Sequence, residues 1–333
     1  MRIRQDFINE LTQQIKNRPE HWEISTPFDP NQSMEIQSIR EQSQSGNHNY
    51  QASEEGGSHR VAMLDLANAL HQDIADCVEP NYQSLLKNTS LLMMPLGNVD
   101  AFCTQTDLKR QPLDGSIIIL NEGLFYGLHL LFKALVIESL DNDLLQFRSS
   151  GKTDFHNSIN FFLERDSSLL QHMHIRVGDP DTEKQINKYQ SAAATLILQF
   201  IALHEFGHIA LDHFGQLNKS AEFINLFSSA KNTSDTKHHQ LEFEADAFAL
   251  KSLMRRSHSE QSMWANFYSI CLFYIWLNCI EEKRNKPLSN LHPRPMERIS
   301  ALRKLMENHV GNAESYKPLF EKLEIITNNW QSD

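Results

Sequence analysis

A pair of histidines with a glutamate beside the first is the part of the sequence best suited to chemistry. They are His204, Glu205 and His208, in the segment HEFGH. On an α-helix, residues four apart project from one face about one turn apart, so both imidazoles can bind one cation. We therefore predict a Zn²⁺ site with His204 and His208 as ligands and Glu205 as the general base of peptide-bond hydrolysis. Two histidines one turn apart can also occur by chance on a helix. A third ligand is therefore needed to distinguish a metal site from a chance pair.

The third ligand must come from elsewhere in the chain, because an open zinc site uses three protein ligands and a water. The candidate is Glu242, in the segment QLEFEADAFA at 240–249. Glu242 and Asp246 share one helix face by their i, i+4 spacing. Asp246 is suited to accept the free ring N–H of a ligand histidine. An acidic, solvated helix face is the alternative interpretation of this segment.

His213 is the other histidine close to the motif, and its spacing argues against a ligand. A third histidine in the pattern HExxHxxGxxH would fall at Phe214, and Leu211 occupies the glycine position. On a continuous helix, His213 would point about 140° away from His208. We expect His213 to be a surface or helix-terminal histidine.

Helices must position these residues, and most of the chain has helical patterning. The predicted helices cover about residues 3–17, 60–79, 124–147, 155–173, 185–213, 240–256, 262–283, 293–308 and 316–327. Apolar runs at 91–94 and 116–120 predict two strands, whereas 148–154 and 177–183 predict a helix break and a loop. We predict an α+β, predominantly helical fold: a zincin-like peptidase domain with a small sheet and the HExxH motif on its active-site helix.

The polar stretch at about 29–59 divides this pattern and predicts a flexible linker. We therefore predict an N-terminal helical region at 1–88 that includes this linker, and a zincin-like metallopeptidase domain at 89–333.

Net charge, cysteine content and apolar stretches indicate which partners and which cellular compartment to expect. The formal net charge of -11 argues against nucleic-acid binding, which needs clustered Lys and Arg. Four scattered cysteines without a CxxC pair, and an N-terminus without an apolar signal region, predict buried thiols and a cytoplasmic protein. Apolar stretches at 117–138 and 264–280 contain polar residues, so we expect no membrane span at either and a buried core helix at 264–280. The oligomeric state stays open.

Three segments together carry a resemblance to a known family. HEFGH at 204–208, LEFEADAFA at 241–249 and HPRPMERI at 292–299 resemble the gluzincin metallopeptidases of the HtpX and CAAX-prenyl-endopeptidase type. The resemblance implies that His292 and Arg298 face the cleft and stabilise the oxyanion or hold the substrate backbone. A loop-to-helix cap is the alternative role for His292.

The same resemblance extends upstream of the motif. Residues 100–103 and 117–124 are similar to the family's NAFA and strand-GL segments, which implies that the strand at 116–120 pairs with extended substrate as the cleft edge. The sequence departs from the family at Asp100, where Asn is usual, and it lacks that family's several transmembrane helices.

The soluble layout is closer to phage-exclusion peptidases of the Lit type, which are cytoplasmic bacterial enzymes; the ImmA-type regulatory peptidases share only the first two motifs. We predict a zinc-dependent endopeptidase, a gluzincin, that acts on an intracellular protein in a phage-defence or regulatory role. The alternative is a zinc-stabilised binding or sensor protein that has kept the fold without turnover.

Overall fold

The computed structural model describes the chain from residue 57 onward, with gaps. The described residues are 57–94, 101–106, 112–139, 151–164, 166–173, 175, 179–216, 224–225, 236–285, 287 and 292–310, and the single residues 317, 318, 321, 325, 328 and 330. The predicted helix at 3–17, nearly all of the predicted linker at 29–59 and most of the predicted helix at 316–327 lie outside them.

Nine α-helices and four short strands lie within the described residues, which confirms the predicted α+β, predominantly helical fold. Short 3₁₀ helices occur at Pro80–Tyr82 and Ser167–His172. The α-helices are α1 (Gly57–Cys77), α2 (Gln83–Lys87), α3 (Glu122–Ser139), α4 (Gly151–Glu164), α5 (Pro180–Ala210), α6 (His213–Gln216), α7 (Thr236–Arg256), α8 (Glu260–Arg284) and α9 (Pro295–Val310).

Helix α5, which carries the HEFGH segment, begins inside the loop predicted at 177–183. Its first residue is Pro180, whose ring fixes φ near the helical value and whose missing N–H needs no partner in a first turn. The carboxylate of Asp179 accepts a hydrogen bond from the backbone N–H of Thr182 at 3.0 Å and so caps the helix. The prediction of a loop was wrong here because this capping pattern outweighs the polar composition.

Helix α4 also begins earlier than predicted, at Gly151, inside the stretch at 148–154 that was expected to break helices. A Cβ at position 151 would lie 2.8 Å from the carbonyl oxygen of Ala134, so the missing side chain allows this start to pack closely against α3. The predicted helix at 155–173 ends as an α-helix at Glu164, and the 3₁₀ helix replaces its last part.

The four strands form one mixed sheet in the order β1-β3-β2-β4. Strand β3 is parallel to β1 and antiparallel to β2, and β2 is antiparallel to β4. The strands predicted at 91–94 and 116–120 lie inside β1 and β3. The bounds are β1 (Thr89–Met94), β2 (Ala101–Thr106), β3 (Pro112–Asn121) and β4 (Ile224–Asn225).

Strand β3 is an interior strand, so the expectation that residues 116–120 form a substrate-binding edge was wrong. Ile117 is paired with Ser90 of β1 on one side and with Thr104 of β2 on the other. The backbone groups of β3 are therefore already used inside the sheet, and an extended peptide would have to add at another strand. Burial of both faces explains the unbroken apolar run at 117–120, where every side chain is fully buried.

The chain divides into two compact units, and each has its own packing. One unit comprises Met1–Leu124 and Ile201–Phe227 and contains the sheet, with α1 packed against β1. In it, Nε2 of His71 donates to the carbonyl oxygen of Thr89 at 3.0 Å, and burial lowers the pKa of His71 so that the neutral ring is favoured.

The second unit comprises Phe125–Phe200 and Ser228–Asp333. Its central helix is α8, which packs against α4, α7 and α9 and buries two tryptophans, Trp264 and Trp276. The domain boundary predicted between residues 88 and 89 stays a prediction.

Cysteine burial agrees with the sequence analysis. All four cysteines are free and buried.

Two helices, α5 and α8, are long and apolar enough to cross a membrane by length and composition alone, and 78% and 67% of their most apolar windows are buried inside the protein. Core helices of soluble proteins meet the same criterion, so this is weak evidence for a span.

A buried ion pair joins α3 to α4 and generates a stability prediction. Nζ of Lys133 lies 3.0 Å from Oδ1 of Asp154, and the two side chains are 7% and 2% exposed. Because Asp154→Ala leaves the ammonium group buried without this carboxylate, we expect a loss of about 3–5 kcal/mol in the free energy of unfolding, measured in urea. The matched control is Glu307→Ala, which removes an exposed pair with Arg303 and should cost less than about 1 kcal/mol. Equal losses in the two variants would contradict the prediction.

Candidate metal centre

The two histidines of HEFGH face each other at the C-terminal end of α5. His204, Glu205 and His208 are each 1% exposed. Nε2 of His204 lies 3.1 Å from Nε2 of His208, and the two rings are nearly perpendicular. The helix that presents them has the unbroken Ala- and Leu-rich stretch at 192–203, which has high helix propensity.

The spacing of these two nitrogens fits a shared metal. Two nitrogens bound to zinc at about 2.0–2.1 Å in tetrahedral geometry lie about 3.3 Å apart. The observed 3.1 Å is close to that value. A small movement of either ring would therefore bring both Nε2 atoms into a zinc coordination sphere.

Glu242 completes a group of three possible ligands. One ligand atom from each of His204, His208 and Glu242 lies within 4.8 Å of the other two, and all three residues are buried. This group could hold a metal ion, as predicted from the sequence. Among the residues that the structure describes, no other group of three His, Cys, Asp or Glu side chains meets the same distance limit.

Both residues expected from the HPRPMERI segment lie beside the carboxylate of Glu242. Nδ1 of His292 is 3.2 Å from Oε2 of Glu242, and a guanidinium nitrogen of Arg298 is 3.8 Å from the same oxygen. All three side chains are at most 8% exposed. Two groups that can carry positive charge therefore stabilise the ionised form of Glu242, which is the form that binds metal.

Arg298 makes its shortest contacts with Asp246. Its Nε and Nη2 atoms donate to the two carboxylate oxygens of Asp246 at 2.7 and 2.5 Å. Burial acts to lower the pKa of Arg298, but the negative charge of Asp246 outweighs it, so the pKa is raised and the charge is retained. This bidentate pair ties α9 to α7 one turn beyond Glu242 and holds the guanidinium 3.8 Å from the Glu242 carboxylate.

Tyr274 also contacts the Arg298–Asp246 pair, a contact that sequence reasoning missed. Its hydroxyl donates to Oδ1 of Asp246 at 2.8 Å, and its ring lies 4.8 Å from the Arg298 guanidinium carbon. Burial raises the pKa of Tyr274 well above its usual value, so the phenol stays a donor. The expectation of a buried core helix at 264–280 is confirmed, but the partner of this one hydroxyl depends on tertiary packing.

The contacts described above place Asp246 against Arg298 and Tyr274. The role of Asp246 as acceptor from a ligand histidine, and that of Arg298 as an oxyanion group, stay predictions.

His213 lies at a helix terminus, as one of its two expected placements, but the expected surface position is wrong. Its side chain is fully buried, and its Nδ1 lies 2.8 Å from Nδ1 of His208. The calculation of a 140° separation fails because the helix is not continuous: α5 ends at Ala210, and Asp212 has a left-handed φ of 52°. The chain turns there and α6 begins at His213, which directs the ring back to His208.

Comparison with known proteins supports a peptidase. Over residues 159–316, the chain matches the model of a family described as Peptidase U49. The match covers slightly less than half of the 333 residues and includes the whole candidate site. The match supports a peptidase family, but it does not support the finer resemblance to HtpX and the CAAX-prenyl endopeptidases. No curated protein and no solved structure matches the chain.

The buried Arg298–Asp246 pair generates a second prediction, for which Arg294 is a control in the same segment. Arg298→Ala leaves the Asp246 carboxylate buried without its bidentate donor, so we expect about 3–5 kcal/mol lower free energy of unfolding for the metal-free protein in urea. Arg294 pairs with Glu281 at 3.0 Å, and because its own side chain is 55% exposed, water reaches one partner of this pair and Arg294→Ala should cost less than Arg298→Ala. A loss for Arg298→Ala no larger than that for Arg294→Ala would show that the pair does not stabilise the fold.

Proposed function

We propose that this chain is a zinc-dependent endopeptidase, a gluzincin, that hydrolyses peptide bonds of an intracellular protein. The observation that carries the proposal is the buried group of His204, His208 and Glu242 in a segment that matches a peptidase family. Two imidazoles and one carboxylate are the ligand set of an open catalytic zinc site, which keeps a fourth position for water or substrate.

Zinc bound there would act as a Lewis acid, which polarises the scissile carbonyl and makes water a stronger nucleophile at neutral pH. Glu205 follows the first ligand in sequence and is 1% exposed. Its carboxylate takes the proton of the attacking water and passes it to the leaving amine.

His292 and Arg298 supply positive charge beside Glu242 in this proposal. A protonated His292 can donate toward the oxyanion that develops on the scissile carbonyl. Arg298 is held by Asp246 at 2.5–2.7 Å and lies 3.8 Å from Glu242, so its positive charge acts on the oxyanion as an electrostatic field and stabilises the Glu242 carboxylate.

The proposed compartment and role follow from sequence patterns. A cytoplasmic location fits the four free, buried cysteines. The resemblance of the three motifs to phage-exclusion peptidases supports a phage-defence or regulatory role. Comparing new protein N-termini in cells that express the wild type or Glu205→Gln would identify the substrate.

Metal removal tests the ligand assignment. Purified protein should bind one zinc per chain, and zinc at about 100 times its Kd should stabilise the fold by about 2.7 kcal/mol, an increment that a chelator abolishes. Glu242→Gln should lose most of this increment because an amide is a poor zinc ligand. Glu244→Gln, two residues along the same helix, should keep it, since Glu244 bonds to Gln240 at 2.8 Å instead. Mass spectrometry measures the zinc content, and thermal unfolding measures the stabilisation. Equal zinc binding by the two variants would exclude Glu242 as a zinc ligand.

Substitution of the proposed base tests catalysis separately from metal binding. Glu205→Gln should bind zinc as the wild type does and cleave an unstructured protein substrate about 10²- to 10⁴-fold more slowly, because the amide cannot accept the proton. Glu244→Gln again serves as the control with unchanged cleavage. Cleavage by Glu205→Gln at the wild-type rate, with product read by mass spectrometry, would end the catalytic proposal and favour a binding or sensor protein.

A further inference from the structure

The structure places His213 in contact with the proposed metal ligand His208, on the side of the ring away from His204. Nε2 of His208 faces His204 at 3.1 Å, and Nδ1 of His208 faces Nδ1 of His213 at 2.8 Å. A neutral imidazole has one N–H and one lone pair. For Nε2 of His208 to bind a cation, the hydrogen must lie on Nδ1, and Nδ1 of His213 is the atom placed to accept it.

We infer that His213 is a positioning residue, which fixes His208 in the Nδ1–H form with Nε2 directed to the metal. The inference rests on the proposed zinc site. Ligand histidines in metalloproteins commonly donate the N–H of the ring nitrogen that does not bind the metal to a carboxylate or carbonyl, which sets ring orientation and tautomer. Here an imidazole serves as that acceptor. The same bond places the hydrogen of neutral His213 on its Nε2.

The local backbone is built to hold His213 in this position. The left-handed residue Asp212 is one of the few non-glycine types that adopt positive φ readily. Its Oδ1 accepts from the backbone N–H of Gly215 at 3.3 Å. A Cβ at position 215 would lie 2.5 Å from an Asp212 carboxylate oxygen, so glycine lets this carboxylate approach the backbone without moving. The turn, its cap and the fully buried ring therefore form one local unit.

Zinc affinity, measured by competition with a chromogenic chelator, tests the inference without using catalysis. His213→Leu keeps an apolar side chain in the buried site but cannot accept the hydrogen bond, so zinc should bind about 10- to 100-fold more weakly. His213→Asn places a carbonyl oxygen near the position of Nδ1 and should restore affinity close to that of the wild type. His258→Leu, at an exposed histidine between α7 and α8, is the control and should bind zinc as the wild type does.

The outcomes separate this inference from the proposed function. If the wild type binds zinc and His213→Leu binds it equally well, the positioning role is overturned while the zinc site stands. If His213→Asn bound zinc as weakly as His208→Ala, the positioning role would also be overturned, since His213 would then be a zinc ligand itself. If the wild type binds no zinc, the proposed function fails and the inference with it.

A second pair of variants keeps the inference testable if His213→Leu does not fold, as judged by circular dichroism of the metal-free protein. His213→Gln extends its amide to about the position of Nε2, whereas His213→Asn stops near that of Nδ1. The hydrogen bond to His208 uses Nδ1, so the Asn variant should bind zinc more tightly than the Gln variant. Equal affinities would overturn the positioning role.

Discussion

Two buried imidazole nitrogens that face each other at 3.1 Å are the constraint on which the candidate site depends. Removing polar ring nitrogens from water is unfavourable unless they gain partners. One helical turn brings these nitrogens together, and a shared hydrogen or a shared cation can satisfy them. A cation would recruit a negative ligand as well, and the buried Glu242 supplies one.

Burial of acidic residues requires compensation, which the segment at 292–298 provides. Glu242 and Asp246 lie on one face of α7, as their spacing predicts, and are 3% and 1% exposed. Two adjacent buried carboxylates repel each other and resist ionisation. Arg298 neutralises Asp246 through two hydrogen bonds, and His292 approaches Glu242 at 3.2 Å. The motif of α9 is thus physically linked to the acidic motif of α7, although some 50 residues separate them.

Local sequence patterns predicted the parts of the site that depend on a single helix. The helical placement of His204 and His208, and the shared face of Glu242 and Asp246, follow from 3.6 residues per turn. The short strands β2 and β4 were not predicted. Strand β4 has only two residues, and its pairing with β2 joins distant parts of the chain. The interior position of β3 has the same cause, since strand order is a tertiary property.

Two further predictions were wrong, the start of α5 and the surface position of His213, because a few local contacts outweigh composition and periodicity. The start of α5 at Pro180 and the turn at Asp212 each depend on one or two side-chain contacts to the backbone. The turn at Asp212 moved His213 from an expected surface position into contact with His208. Helix periodicity alone could not show this, because it assumes that the helix continues.

The most direct test of the central claim is anomalous diffraction at the zinc edge from crystals of the zinc-loaded protein. The account predicts one zinc at about 2.0–2.1 Å from Nε2 of both His204 and His208, and at about 2.0–2.2 Å from an oxygen of Glu242. Zinc bound elsewhere, or bound to the histidines without Glu242, would contradict the account.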